Sequence, residues 1–391
     1  MPESMVCPED IVAELQAFMI ERAFPLWAGE GWDSVRGGFA ERLHYDGTAD
    51  GEASRRLRVQ ARQIYCFAKA AQLGWHPAGR DIALRGLEYI LTRARSPDGK
   101  PGFVTLLAAD GSVLSENRDT YDHAFVLLAL AALYQLDRDS QIRTEIVSVL
   151  EFLDNDLRSG QGGYLEGVPN IPPRRQNPHM HLLEAMIALF DVTRDAAFQD
   201  RAGDIFSLFE THFYDSKKQV LGEYFEQDWS TIHPISIEPG HQAEWVWLLK
   251  GFERISGRPT DQYRSALLKS ALRYRDALTG CLVDQGNADG QITKSSGRCW
   301  PQTEIAKAWM AQAEIGDPRA ATEARSALVR LERYYLRHPV KGGWYDNFDH
   351  RGDAETAPIS ASTFYHLVCA IAEADRSLSV TSRDLNFFRG P

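Results

Sequence analysis

A unit of roughly sixty residues recurs six times along this 391-residue chain, and that recurrence limits the fold more than any other feature. Each unit joins two segments of helical periodicity to a Gly-rich run with strand character. The runs are RGGFAERL (36–43), GFVTLL (102–107), GGYLEG (162–167), LGEYFE (221–226), CLVDQGN (281–287) and GGWYDNF (342–348). Apolar periodicity predicts twelve helices, over 8–27, 56–73, 80–95, 121–136, 138–153, 179–193, 196–213, 241–255, 261–277, 301–315, 318–335 and 359–374. Short links such as 137–139 and 194–195 alternate with long ones at 96–120, 154–178, 214–240, 278–300 and 336–358. Long loops inside compact domains point to function. A unit of this kind cannot bury its own apolar face, so neighbours must stack. Six helical hairpins can close into an all-α toroid with an inner and an outer ring, the short β-hairpins collecting around a pocket mouth on one face. No linker rich in Pro, Ser or Gly interrupts the pattern, so residues 1–391 read as a single domain.

Composition excludes several classes. The formal net charge of −11 disfavours nucleic acid and anionic membranes as partners. No window has the apolar length that crosses a bilayer, and the acidic N-terminus lacks the apolar core of a signal peptide. Cys7, Cys66, Cys281, Cys299 and Cys369 are scattered and odd in number, without C-x-x-C spacing. That argues against a disulfide framework or zinc cluster and fits a cytoplasmic protein.

Polar residues gather at the start of every second helix: RVQARQIYCFA (58–68), RDTYDHAF (118–125), QNPHMHLLEA (176–185), EPGHQAEWVWLL (238–249), CWPQTEIAKAW (299–309) and SASTFYH (360–366). A ring brings these distant segments to one mouth. His181 and Glu184, and again His241 and Glu244, are three apart and share a helix face. A carboxylate beside an imidazole orients it and raises its pKa, which suits general acid–base work near neutrality. Taken singly, each histidine reads better as a core polar group satisfied by its neighbouring Glu. Two such pairs together with His366 on equivalent edges of a ring read as a site. Repeated H-x-x-E also matches metal chemistry, but helix-borne di-iron sites use E-x-x-H with further glutamates that are missing here, so the reading is metal-free. His123 and His179 are ambiguous, the favoured reading being a supporting role behind the site. Arg62 lies in an apolar helix and needs partners, for which substrate oxygens qualify. Trp300 starts its helix at the pocket side, where it could stack on a sugar, whereas Trp245, Trp247 and Trp309 read as packing.

The segments ARQIYCFA, QNPHMHLLEA, EPGHQAEWVWLL, WPQTE and FYH resemble the N-acylglucosamine 2-epimerase superfamily from about Trp27 to Ala374, and within it the mannose isomerase branch. The resemblance implies an (α/α)6 barrel. It implies that His241 and His366 are the acid–base pair, with His181 and Glu244 as further catalytic groups. Arg62, Tyr121, Asn177, Trp300 and Glu304 would bind substrate, and no metal or organic cofactor would be needed. The implied activity is aldose–ketose isomerisation of D-mannose or a lyxose-like free aldose, D-mannose giving D-fructose, through a cis-enediol(ate). Ser362 stands where sulfoquinovose-type relatives carry a glutamine, which argues against a sulfonated substrate. The absence of a P-loop or dense basic cluster favours a free sugar over a phosphate ester. Alternatives are a sugar 2-epimerase, a glycoside hydrolase using Glu244 and Glu304, or a non-catalytic sugar-binding protein. The expected partner is a small monosaccharide, the chain being a monomer or homodimer.

Overall fold

The computed structural model describes residues 10–349 and 351–379. Cys7 and the first nine residues of the acidic N-terminus lie outside them. Twelve helices occur among the described residues. Helix α1 runs through Ile11–Phe18, a π turn at Met19–Ala23, and Phe24–Gly29. It is followed by α2 (Leu57–Leu73), α3 (Gly79–Arg93), α4 (Thr120–Asp137), α5 (Ser140–Asp156) and α6 (Asn177–Thr193). Then come α7 (Ala196–Leu208), α8 (Pro239–Ser256), α9 (Asp261–Leu272), α10 (Trp300–Ala313), α11 (Ala320–Leu331) and α12 (Ala361–Leu378). The even-numbered helices pack neighbour to neighbour, and α12 packs back on α2, so the inner ring closes. The odd-numbered helices pack outside them. The architecture is the (α/α)6 barrel expected from the repeat.

Burial follows from sequence. Inner helix α4 is apolar nearly all round and buried from Thr120 to Leu133 apart from Tyr121. Outer helix α5 buries a single stripe, Ile142, Ile146, Val149, Phe152 and Leu153. Asp119, Asp139 and Asp195 cap α4, α5 and α7 by accepting the backbone N–H two residues on, while Pro178, Pro239 and Pro301 occupy first turns where no N–H is required.

Two residues at or one position short of the start of each inner helix pair antiparallel with the Gly-rich run of the following unit. Arg55–Arg56 joins Leu106–Leu107, Arg118–Asp119 joins Gly167–Val168, and Arg174–Arg175 joins Tyr224–Phe225. Ser236–Ile237 joins Gln285–Asn287, and Gly297–Arg298 joins Asn347–Phe348. Ile359–Ser360 returns to Arg42–Leu43, closing the circle a second time. That last pairing is why α12 begins at Ala361, later than the periodicity predicts. Helix α9 ends at Leu272, short of the predicted 277. Tyr274 leaves the helix to pack in a small apolar cluster with Val220, Ile237 and Val283, its hydroxyl donating to the Asn287 carbonyl at 2.6 Å.

One position near the start of each inner helix anchors its own unit's run. Gln60 bonds both backbone groups of Phe39 at 2.8 Å, Gln242 bonds those of Leu221, and Gln302 those of Leu282. His123 and His179 occupy this same position. Their Nε2 atoms accept the backbone N–H of Phe103 at 3.0 Å and of Tyr164 at 2.9 Å. Burial holds these imidazoles neutral, pushed down to about 4 and about 3, as accepting at Nε2 requires. Both ambiguous histidines are therefore loop anchors equivalent to glutamines. In the sixth unit Phe364 stands there and stacks on Trp344 instead.

Candidate active site

Two residues beyond each anchor, the inner helices contribute Arg62, Phe125, His181, Glu244, Glu304 and His366, one layer of the ring. Above this layer lies a cavity of about 380 Å³, at the small end of the roughly 300–1,000 Å³ typical of ligand pockets. Arg62, Tyr121, Asn177, His181, His241, Glu244, Trp300 and His366 all line it. The sequence-predicted residues thus meet in one place, with Glu304 as the exception.

Three histidines reach the cavity, and each has Nδ1 on a carboxylate: His181 on Glu184 at 3.0 Å, His241 on Glu223 at 2.8 Å and His366 on Glu304 at 2.8 Å. A carboxylate only accepts, so in each pair the proton lies on Nδ1 and Nε2 is the working nitrogen. The charge states differ. Burial outweighs the partner at His181 and His366, and each is pushed down to about 4. At His241 burial also opposes charge, but Glu223 and Glu238 together overcome it and lift the imidazole to about 9. At neutral pH the site therefore pairs one imidazolium with two neutral imidazoles. The Trp300 ring contacts both members of the opposed pair, 5.1 Å from His241 and 5.4 Å from His366.

Two expectations need correction. Glu244 is not the hydrogen-bonding partner of His241. Neither of its buried carboxyl oxygens has a hydrogen-bond partner, and burial together with the neighbouring Glu304 pushes its acid well above the usual carboxylate range. It is a neutral acid facing the cavity. Glu304 does not touch the cavity. It is fully buried under His366, one oxygen on that imidazole and the other 2.7 Å from the Lys307 ammonium.

The partner missed in the sequence is Glu223. It belongs to an acid that recurs two residues past the anchored run residue in five of the six units, Glu41, Glu166, Glu223, Asp284 and Asp346, the second unit carrying Thr105 there. In three units this acid binds an arginine just before the inner helix, as Glu41 binds Arg56, Glu166 binds Arg175 and Asp284 binds Arg298. In the fourth unit Glu238 takes the arginine's place, and Glu223 turns to His241 and to the Gln176 amide at 3.0 Å.

Arg62 is 4 % exposed and sandwiched on Phe125 at 4.1 Å, its nitrogens bonding only the hydroxyls of Ser362 and Tyr121. No carboxylate among the described residues forms an ion pair with it. The cavity thus holds a cation without a counter-charge, and it also holds unpaired polar atoms on Asn177 and Glu244. Buried polar atoms are normally satisfied, and open ones that face a cavity suit a polar ligand. Among the described residues three groupings bring donor atoms within 4.8 Å as a metal site would: His181–Glu184–Glu244, Glu223–Glu238–His241 and Glu244–Glu304–His366. In each the histidine already donates Nδ1–H to a carboxylate, and hydrogen bonding accounts for the approach. Among the described residues no helix is long and apolar enough to cross a membrane.

The sequence profile of the N-acylglucosamine 2-epimerase (GlcNAc 2-epimerase) family matches residues 37–370. The chain belongs to this family. It is 32% identical over 387 residues to a protein of Rhizobium meliloti (strain 1021) named mannose-6-phosphate isomerase, covering 93% of this chain and 97% of that one. It is 26% identical to the D-mannose isomerase of Marinomonas mediterranea, covering 88% and 92%. The solved structure of cellobiose 2-epimerase from Spirochaeta thermophila superposes with a TM-score of 0.83 at 23% identity, covering 95% and 97%, which shows the shared fold. This family member keeps the helical barrel and gathers His181, His241 and His366 at one end of it.

Proposed function

We propose that this chain is a cofactor-independent aldose–ketose isomerase that interconverts D-mannose, or a lyxose-like free aldose, with its ketose, D-mannose giving D-fructose. The observation that carries the reading is the convergence on one cavity of three histidines, each held by a carboxylate at Nδ1, beside the Arg62 guanidinium, which has no carboxylate partner among the described residues. His181, neutral with Nε2 open, takes the O1 proton as the hemiacetal C1–O5 bond breaks and passes it to the departing ring oxygen, which becomes the open-chain hydroxyl. His366, also neutral, removes the weakly acidic C2 proton. Arg62 stabilises the enediolate that develops on O1 and O2. His366 returns the proton to C1 on the same face, while the His241 imidazolium protonates O1 and then recovers a proton from O2. The sum is a ketose and an unchanged enzyme.

A free sugar is supported over a phosphate ester. Arg56 and Arg298, the other guanidinium groups lining the cavity, are already held by Glu41 and by Asp284 with Glu238. The same histidine pair also supports 2-epimerisation, because the His241 proton delivered to the opposite face of C2 gives the epimer. Proton NMR with D-mannose in heavy water tests the proposal. Fructose carrying deuterium at C1 is the expected product. Glucose labelled at C2, formed without a fructose lag, would move the assignment to epimerase, and no exchange with any hexose would remove it.

A further inference from the structure

One ring layer below the cavity, three residues on from each inward group, lie Tyr65, Leu128, Glu184, Trp247, Lys307 and Cys369. Lys307 is the surprising member. A lysine with no exposed surface, in the centre of a barrel, is expensive to hold in charged form. Its ammonium lies 2.7 Å from Glu304 and 4.1 Å from the centre of the Trp247 ring.

Its purpose emerges from comparing two units. Glu244 on α8 and Glu304 on α10 occupy equivalent positions, are both buried, and lie close enough to repel one another. Three residues on, α8 carries Trp247 whereas α10 carries Lys307. The carboxyl without the lysine has no hydrogen-bond partner and faces the cavity, while the one with it is tied to His366. Two like-charged acids this close cannot both ionise cheaply, so a cation on one decides which.

We propose that Lys307 is a positioning residue for the isomerisation: its ammonium fixes Glu304 as the acceptor of the His366 Nδ1–H, presenting bare Nε2 to the sugar, and leaves Glu244 as the neutral acid in the cavity wall. The inference rests on His366 acting as the base. The charged and titratable groups facing Lys307, Glu304 and His366 are Arg62 from α2, Glu184 from α6, Glu244 from α8, which has His241 beside it in turn, and Cys369 from α12. Against that background Lys307 favours charge on Glu304, where burial alone opposes it, and disfavours charge on His366. Removing the lysine reverses both influences, and both push the same way: protons return to the pair at higher pH.

Lys307→Met and Lys307→Arg, assayed as kcat/KM against pH, test this. The methionine variant is expected to move the acid limb upward by about one pH unit or more, with kcat reduced more than KM is changed, and the arginine variant to restore part of the shift. A lower rate at every pH with an unmoved acid limb would mean a packing role only and would overturn the proposal. Imidazole nitrogen NMR of the unaltered protein gives a reading that does not depend on a variant folding. A neutral His366 protonated at Nδ1 is expected, and protonation at Nε2 would overturn it. Full activity in His366→Ala would instead defeat the functional reading on which the proposal rests, a result separable from either of these.

Discussion

The Nδ1 of His241 lies 2.8 Å from a carboxylate oxygen of Glu223, a residue eighteen positions earlier and on a loop, not on the helix that carries the histidine. This contact makes His241 unlike the other two histidines of the cavity. With Glu238 it holds the imidazole at about 9, whereas His366, equally buried on Glu304 but with Arg62 and Lys307 nearby, sits at about 4. Activity that needs a charged His241 and a neutral His366 therefore fails below about 4 and above about 9.

Glu223→Gln should move the alkaline side of that window. Deleting a negative neighbour destabilises the imidazolium, so His241 loses its proton at lower pH. An opposite charge at this range contributes roughly 1–3 units, and Glu238, 4.0 Å away, retains part of the effect. The expected outcome is an alkaline limb of kcat/KM lowered by about 1–2 units from its position near 9, with the acid limb in place. A profile superimposable on the parent enzyme's would show that Glu223 does not set the acid.

His241→Ala and His366→Ala should each lower turnover by at least about 10²-fold, the contribution of a positioned acid or base, while helical circular dichroism stays unchanged. Near-parent turnover in either variant would remove that histidine from proton transfer.

The ring itself was legible because the helical period, the alternating link lengths and the six Gly-rich runs all repeat at one spacing, and a repeat implies its own closure. The residues of the cavity were legible because inner helices present their first turns to one face. The pairings were not. Spacing along a helix predicts the His181–Glu184 bond correctly, since both residues are on one face, but the same spacing mispairs His241 with Glu244. The true partner arrives from the loop that precedes the helix in the same unit, whose register depends on the Gln242 anchor. Glu304 likewise reads as a cavity residue until Lys307 and His366 are seen to take up its oxygens from below and above. His123 and His179 mislead by residue type: they do the work of glutamines, and only the common position across units reveals it.

Gly240→Ala should disable the site with the barrel intact. A Cβ there would sit 2.5 Å from the Trp300 indole, which cannot retreat without shifting its contacts with His241 and His366. Overpacking of this kind costs about 1–3 kcal/mol, a tolerable loss for a large core, whereas misplacing catalytic groups by about 1 Å can cost 10²-fold in rate. The expected result is a fall in kcat of about that size with a small drop in Tm and altered tryptophan fluorescence. Unchanged kcat would show that the indole does not position the pair.

Exhaustive dialysis against EDTA should leave the rate unchanged. A divalent ion in such a site would act as a Lewis acid, polarising the oxygens on C1 and C2. Here Arg62 stands in the cavity without a carboxylate partner, and the His241 imidazolium supplies a second positive charge. An ion entering the Glu244–Glu304–His366 grouping would meet the Lys307 ammonium already seated on Glu304 at 2.7 Å and would have to displace the His366 proton from Nδ1 or bind against it. Loss of activity on chelation, restored by a divalent ion, would mean that these carboxylates bind metal in the working enzyme and that the histidine tautomers derived from them must be reassigned.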